Sequence, residues 1–272
     1  MTRHVIEALG KARVVIEDGK VVEVGEPLVT YCPLFFKHRG ITEFTPDIIR
    51  KNIEFRIKDF GMCTPERKLR MRDFLSFGVS ELLGMAVANG TLDCAVIVCE
   101  GAGTVIIDEP EMVQGIGGRV SGILETDPIP EVIAGIGPGR VLDPASGRID
   151  QLEGARKARQ MGYRKMGISV ASGSDAERIR HEFGSDAVLF GVHTTLLDER
   201  EAELMLDHAD IVTACASRCV RAEARSRRSS QVGTKVPIYA TSEIGKTILD
   251  DRLRSLKMEW ADKDEDPPRP LV

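Results

Sequence analysis

Residues 165–192, KMGISVASGSDAERIRHEFGSDAVLFGV, contain the pattern that decides the fold. Two short runs rich in β-branched residues, KMGISV and DAVLFGV, enclose a polar segment long enough for one helix. The runs ADIVTA and KVPIYA follow at similar intervals towards the C-terminus. Strands that alternate with helices in this way form βαβ units with a parallel sheet. The sequence therefore predicts an α/β fold.

The two halves of the chain differ in their local signals. VVIEDGKVVEV, residues 14–24, is typical of a β-hairpin that turns at Asp18-Gly19. Thr45-Pro46 is a helix start and Gly61 a helix end, and residues 94–99 and 104–107 predict strands. We expect three regions. They are an N-terminal α/β region over 1–147 with the hairpin, helices and cysteine- and glycine-rich loops, a mostly parallel, helix-covered, Rossmann-like β/α-repeat region over 148–258, and a flexible tail over 259–272. One continuous domain over 1–258 is the alternative.

Composition narrows the class of protein. The 272 residues carry a formal net charge of −5, which is unlike a dedicated nucleic-acid-binding protein, and 42% are hydrophobic, enough for a core. No apolar run reaches the roughly 18 residues of a membrane helix, and the first residues lack the apolar stretch of a signal peptide. We expect a cytoplasmic protein with no membrane contact. Its six cysteines are then reduced rather than disulfide-bonded.

Three glycine-rich stretches lack the pattern of a phosphate-binding loop. VCEGAGTV, residues 98–105, has Gly101 and Gly103, but its third position is Ile106 and a strand follows instead of a helix. GIGGRV and GIGPGR also lack the third glycine, and no P-loop motif occurs. We therefore expect no NAD or P-loop nucleotide site. Ser172-Gly173-Ser174-Asp175 follows a strand and opens a helix, which suits either an anion site or, more simply, a helix cap.

The cysteines suggest a metal site assembled from separate loops. No C-x-x-C pair occurs, but Cys32, Cys63, Cys99 and Cys215 all stand at expected element ends or loop junctions. Cys63 precedes an expected helix start at Thr64, where the helix dipole would favour a thiolate. Cys99 and Cys215 end strands whose carboxyl ends could share one sheet edge. The four thiols are the predicted metal ligands, and burial as ordinary core residues is the alternative.

A second hypothesis is a cysteine-dependent enzyme for a small anionic substrate, with Cys99 or Cys63 as the nucleophile. Backbone amides of the glycine loops would bind the anion, and His193 follows a strand at the expected ligand-binding edge. The candidate substrate-binding residues are Gly101, Gly103, Gly117, Gly118, Arg119 and His193. A third hypothesis is an interaction protein without chemistry of its own.

Several unusual motifs occur in an order that resembles one family. YCPLF, IEFRIKDFGMCTPER, VCEGAGTVI, VQGIGGRVSGI and FGVH with DIVTACAS resemble the methanogenesis marker 8 protein family of methanogenic archaea, over nearly the whole chain to about residue 250. The resemblance implies a role around methanogenesis, with methyl-coenzyme M reductase or its assembly factors as partners in maturation or activation. It assigns no reaction. An anaerobic cell suits an iron–sulfur cluster or another thiolate-bound metal, and a homo-oligomer is allowed.

Overall fold

The computed structural model of the chain describes residues 1–72, 77–118, 122–261 and 265–272. Its strands are β1 (Arg3–Glu7), β2 (Arg13–Glu17), β3 (Lys20–Val24), β4 (Cys94–Cys99), β5 (Gly103–Ile107), β6 (Gly122–Thr126), β7 (Met166–Val170), β8 (Ala187–Gly191), β9 (Ile211–Thr213), β10 (Ser230–Val232) and β11 (Ile238–Ala240). Its helices are α1 (Pro33–Arg39), α2 (Pro46–Phe60), α3 (Val79–Ala88), α4 (Pro110–Gly117), α5 (Pro130–Ile136), α6 (Gln151–Gln160), α7 (Gly173–Phe183), α8 (Glu199–His208), α9 (Arg218–Ser226) and α10 (Glu243–Leu256). Short 3-10 turns occupy Leu9–Lys11, Pro138–Arg140 and Gly184–Asp186.

The small sheet has the antiparallel strand order β3-β2-β1-β6. The predicted hairpin is confirmed: β2 and β3 are joined by Asp18 and Gly19, both with positive φ, as a two-residue turn between twisted strands requires. The helix predicted from Thr45 is also confirmed. The Thr45 hydroxyl accepts the Ile48 amide, and Gly61 ends α2 with a φ of 74°. This helix covers one face of the small sheet.

The large sheet has the order β10-β11-β9-β8-β7-β4-β5. Its central strands β4, β7, β8 and β9 are parallel, which confirms the predicted α/β fold. Both edges are antiparallel: β5 returns beside β4, and β11 runs against β9. The KVPIYA run is thus a strand but not a parallel one. The β8 residues are fully buried, as expected for a strand covered on both faces.

Helices cover both faces of this sheet. Helices α6 to α9 bury their small and aliphatic residues against one face, in a core that includes Cys94. Helices α3, α4, α5 and α10 cover the other, in a core that includes Cys99. The odd spacing of these two cysteines on β4 therefore places them on opposite faces, as predicted.

Two local predictions are wrong. Residues 64–72 form turns and extended chain instead of a helix, so Cys63 does not stand at a helix N-terminus. The Gly115–Gly118 stretch was expected to be a loop, but Gly117 is the last residue of α4 and Gly118 caps it. The Gly118 amide donates to the Gln114 carbonyl (2.7 Å), so this amide takes part in the hydrogen bonding that ends the helix.

The large sheet takes its strands from both sides of residue 147, whereas all four strands of the small sheet precede it. Strands β4 and β5 come from before this position and join the large sheet, whereas β6 joins the small one. The C-terminal residues, predicted as a flexible tail, run between the two regions. The amides of Thr30 and Tyr31 donate to the Arg269 carbonyl, and the Val272 amide donates to Ala216.

Candidate functional site

A cleft of about 760 Å³ lies where the carboxyl ends of the parallel strands face the small sheet. This edge is where open α/β sheets bind ligands, and the volume suits a small organic molecule. The apolar part of its lining comes from the ends of β4, β7 and β8, from α3 and α4, and from β6. These residues include Val79, Leu83, Ile97, Val98, Val113, Ile123, Leu124, Val170 and Val192. The cleft therefore offers an apolar surface to the body of a ligand.

His193 stands at the mouth of this cleft, two residues beyond β8. Its backbone is left-handed, with a φ of 53°, which is costly for a residue other than glycine and is found preferentially at functional sites. His193 is exposed and lines the cleft. Desolvation by the neighbouring protein lowers the pKa of His193, Glu7 opposes this effect and Lys11 adds to it. The imidazole is consequently neutral near pH 7, the form that accepts a proton.

Two ion pairs stand on the polar rim of the cleft. Lys11 Nζ donates to Glu7 Oε2 (2.8 Å), and Arg178 Nη1 donates to Asp175 Oδ1 (3.2 Å). The Arg178–Asp175 pair is exposed and screened by solvent, so it competes weakly against a ligand. An ammonium has three N–H donors and a guanidinium five, so both cations keep donors beyond these bonds. The rim can therefore bind an anionic group.

Gln151 fixes the polar floor, a role that was not predicted from the sequence. Its Nε2 donates to the Ser169 carbonyl (2.7 Å) and the Val96 carbonyl (3.2 Å), while its Oε1 accepts the Thr104 hydroxyl (2.8 Å). One amide thus joins β4, β5 and β7. The only available signal was its position after Asp150, which caps α6.

The loop Ser172–Asp175 is a helix cap, the simpler of its two interpretations. The Ser172 hydroxyl accepts the Asp175 amide (3.2 Å). The carboxylate of Glu201, from α8, accepts the Gly173 amide (2.6 Å) and the Ser174 amide (3.2 Å). An internal anion therefore occupies the start of α7.

The predicted glycine residues serve the backbone. Gly101 and Gly103 form the tight β4–β5 connection, both with positive φ. The Gly101 amide donates to the Thr126 hydroxyl (2.7 Å), and a Cβ on Gly103 would lie 2.3 Å from the Gly147 carbonyl oxygen. Gly117 lines the cleft at the end of α4. The predicted Arg119 lies outside the described residues.

The four predicted metal ligands form two pairs. Cys99 ends β4, and Cys215 follows β9, which lies three strand spacings away, or about 14 Å at the usual distance between strands. Cys63 and Cys99 flank the same buried ion pair, whereas Cys215 lies within electrostatic range of Cys32. In the described ranges of the chain, no three His, Cys, Asp or Glu side chains are arranged as a metal site.

The electrostatic surroundings of these thiols favour the protonated form. Burial raises the pKa of Cys32, of Cys63 and of Cys99, and it raises the pKa of Cys215 to about 12. The Glu100 carboxylate raises the pKa of Cys63 and Cys99 further. A nucleophile needs a thiolate, which these surroundings disfavour, and the four thiols lie in two separate pairs rather than around one shared centre.

The Cys63–Cys99 pair surrounds a buried ion pair that sequence reasoning missed. Arg67 Nε donates to Glu100 Oε1 (2.5 Å), and both side chains are at most 1% exposed. Arg67 also donates to the carbonyls of Gly115 (2.8 Å) and Ile116 (3.4 Å), near the end of α4. This pair therefore holds the end of α4 beside the cleft. Arg67 lies in a polar turn, and no local pattern distinguishes it from a surface arginine.

Comparison with known proteins gives two matches. The sequence profile of a family described as "Uncharacterized protein conserved in archaea (DUF2099)" matches residues 4–254. The chain is also similar to an uncharacterized protein of the methanogen Methanocaldococcus jannaschii, with 46% identity over 261 residues that cover 94% of this chain and 92% of the relative. Across the described residues, no helix is long and apolar enough to cross a membrane.

Proposed function

The chain belongs to the archaeal family DUF2099, and from the chemistry of its cleft we propose that it is an acid–base enzyme for a small organic anion. The observation that carries this proposal is the cleft at the carboxyl ends of the parallel strands, with a neutral, accessible His193 at its mouth. The apolar lining receives the body of the ligand. Lys11 or Arg178 binds its anionic group, and His193 exchanges a proton with it.

His193 can perform this role because its ring is free to meet a ligand. Among the described residues, neither ring nitrogen has a hydrogen-bond partner of the kind that would fix the imidazole for a structural purpose. The thiols are less suitable for catalysis, since burial raises the pKa of Cys63 and Cys99 and keeps them protonated. The proposal therefore keeps the predicted anionic substrate and replaces cysteine with histidine as the reacting group.

The metabolic setting that we propose is cytoplasmic and methanogenic. The support is the resemblance to the methanogenesis marker 8 family and a close relative in a methanogen. A role in the maturation or activation of methyl-coenzyme M reductase is the finer form of this proposal. The substrate would then be a precursor or activator of that enzyme. An iron–sulfur cluster stays a prediction, and the two separate cysteine pairs give it no support.

The binding test compares two alanine-to-tryptophan variants. Ala171 is exposed and lines the cleft just after β7, whereas Ala145 is exposed in a loop outside it. We expect carboxylates and phosphate esters with alkyl or aromatic bodies to raise the melting temperature of the wild type and of Ala145→Trp. The same probes should have little effect on Ala171→Trp, whose indole fills the cleft. If no probe distinguishes the two variants, the cleft is not the binding site.

The catalytic test uses His193→Asn, because asparagine tolerates a left-handed backbone better than most residues do. The variant should bind the best probe within a few-fold of the wild type. It should lose exchange of solvent deuterium into that probe, or turnover of it, by about 10²–10⁴-fold, the usual contribution of a general acid or base. Equal exchange in both proteins would remove His193 from the mechanism. Capture of reductase subunits that is equal for wild type and Ala171→Trp would instead favour an interaction protein.

A further inference from the structure

Three charged or titratable side chains meet at the mouth of the cleft. Glu7 is the last residue of β1, and Lys11 lies in the short turn after it. His193 comes from the loop after β8. Lys11 and His193 both have left-handed backbones, with φ values of 65° and 53°. Each such conformation is sparsely populated, so the surrounding structure must impose it. Two strained residues from distant parts of the sequence thus line the same cleft.

Gly122 brings the carboxylate and the imidazole together. A Cβ at this position would lie 3.3 Å from Glu7 Oε2 and 3.5 Å from His193 Cγ. The glycine at the start of β6 therefore leaves room for both side chains next to its Cα. Glu7 Oε2 also accepts a hydrogen bond from the Lys11 ammonium (2.8 Å), so Glu7 lies near both a cation and an imidazole.

The charges around His193 favour its neutral form while the cleft is empty. Lys11 and Glu7 are the charged groups that act on the imidazole, with opposite signs. The other charged groups on the cleft lining stand at the starts of α6 and α7 and include Asp150, Asp175 and Arg178. With Lys11 bound to Glu7, the ammonium opposes the effect of the carboxylate on the imidazole. Desolvation, the largest of the three effects, then lowers the pKa of His193.

We propose that the Lys11–Glu7 ion pair is a ligand-operated switch on His193, in which an anionic group that binds Lys11 frees Glu7 to accept a hydrogen bond from the protonated imidazole. Glu7 and Lys11 are then positioning residues, and His193 is the catalytic residue. The Lys11–Glu7 bond breaks, and Lys11 pairs with the ligand. The imidazole takes one proton from solvent, and its second N–H points to Glu7. No redox step or further reactant is needed.

The switch names the substrate class of the proposed function, on which this second point rests. The substrate carries a carboxylate or phosphate close to the atom that receives the proton, because Lys11 and His193 line the same cleft and lie within electrostatic range of each other. Binding of such a substrate therefore converts His193 into the general acid that protonates it. An uncharged analogue would bind beside a neutral imidazole and would not be protonated.

The test follows the titration of His193 by NMR with the cleft empty. Lys11→Gln removes the charge and keeps a side chain of similar length and the same strain at Cα. We expect the pKa of His193 to rise in Lys11→Gln, to fall in Glu7→Gln, and to return to the wild-type value in Lys11→Arg. Arg178→Met, which removes the other cation of the rim, is the matched control and should leave it unchanged. An unchanged or lower pKa in Lys11→Gln would overturn the switch.

Inorganic phosphate, the simplest anionic probe, tests the linkage to binding. It should raise the pKa of His193 in the wild type and raise it less in Glu7→Gln, where only the direct effect of the anion remains. Equal increases in the two proteins would show that Glu7 does not respond to binding. The two proposals fail separately. If the Lys11→Gln shift occurs but no organic anion binds, the proposed function fails. If organic anions bind but the shift is absent, the switch alone fails.

Discussion

Substitution of Arg67 by methionine is expected to destabilise the protein far more than the same substitution at Arg70, three residues later. The two arginines have ion pairs of the same length, with 2.5 Å between Nε and a carboxylate Oε1 in both. They differ in burial. Arg67 and Glu100 are 0% and 1% exposed, whereas Arg70 and Glu109 are 51% and 39% exposed. The comparison therefore tests how burial affects stability at a constant ion-pair distance.

The magnitudes follow from what each substitution leaves behind. Arg67→Met leaves the Glu100 carboxylate buried without its cation, and it removes donors to the Gly115 and Ile116 carbonyls. Breaking a buried pair from one side costs about 3–5 kcal/mol. Arg70→Met breaks a pair that solvent already screens, for which about 0–1 kcal/mol is typical. We expect a difference of roughly 3 kcal/mol in the free energy of unfolding.

The assay is urea denaturation of the two variants and the wild type, with the slopes compared to check that the unfolding transition is the same. The double variant Arg67→Met/Glu100→Gln should recover about 0.5–3 kcal/mol of the Arg67→Met loss, because the unpaired charge is gone. Equal destabilisation by Arg67→Met and Arg70→Met would refute the reasoning. A double variant that is less stable than Arg67→Met by the full cost of Glu100→Gln alone would contradict it as well.

The remaining predictions concern the turn, the acid response and the thiols. Gly103→Ala should destabilise more than Gly40→Ala in thermal unfolding. Both residues have positive φ, but a Cβ at Gly103 would meet the Gly147 carbonyl oxygen at 2.3 Å, whereas at Gly40 nothing lies within 4 Å; equal losses would mean that the turn relaxes. Backbone amides, of which that of Lys165 has the largest effect, lower the pKa of Asp93 in the folded protein. The stabilisation by the Asp93 carboxylate is therefore fully present above its ordinary pKa, and it is lost as the pH falls through the lowered pKa of the folded state. The stability difference between wild type and Asp93→Asn should therefore shrink towards pH 2, and a pH-independent difference would contradict this. Iodoacetamide at neutral pH should label the native thiols slowly, with the half-buried residues ahead of the buried ones; rapid labelling of a buried cysteine would restore the nucleophile hypothesis.

The cysteines show where sequence reasoning met its limit. Cys99 was placed correctly at the end of β4, whereas the helix expected after Cys63 does not form. Whether four such positions converge depends on strand order, and β7 and β8 separate the two strand ends. Strand order is set by packing over the whole chain. No spacing within one segment could have revealed it.

Features that depend on a few adjacent residues could be predicted from local sequence patterns. Asp18-Gly19 set the hairpin because only such residues adopt its left-handed turn, and Thr45 with Gly61 set the limits of α2 through bonds within one helical turn. Alternating buried runs set the α/β class. Only the tertiary structure decided the site. Glu7 and His193 are distant in sequence and meet at Gly122 because the small sheet packs against the carboxyl ends of the large one. Such contacts depend on the burial of whole elements, and a local pattern does not encode them.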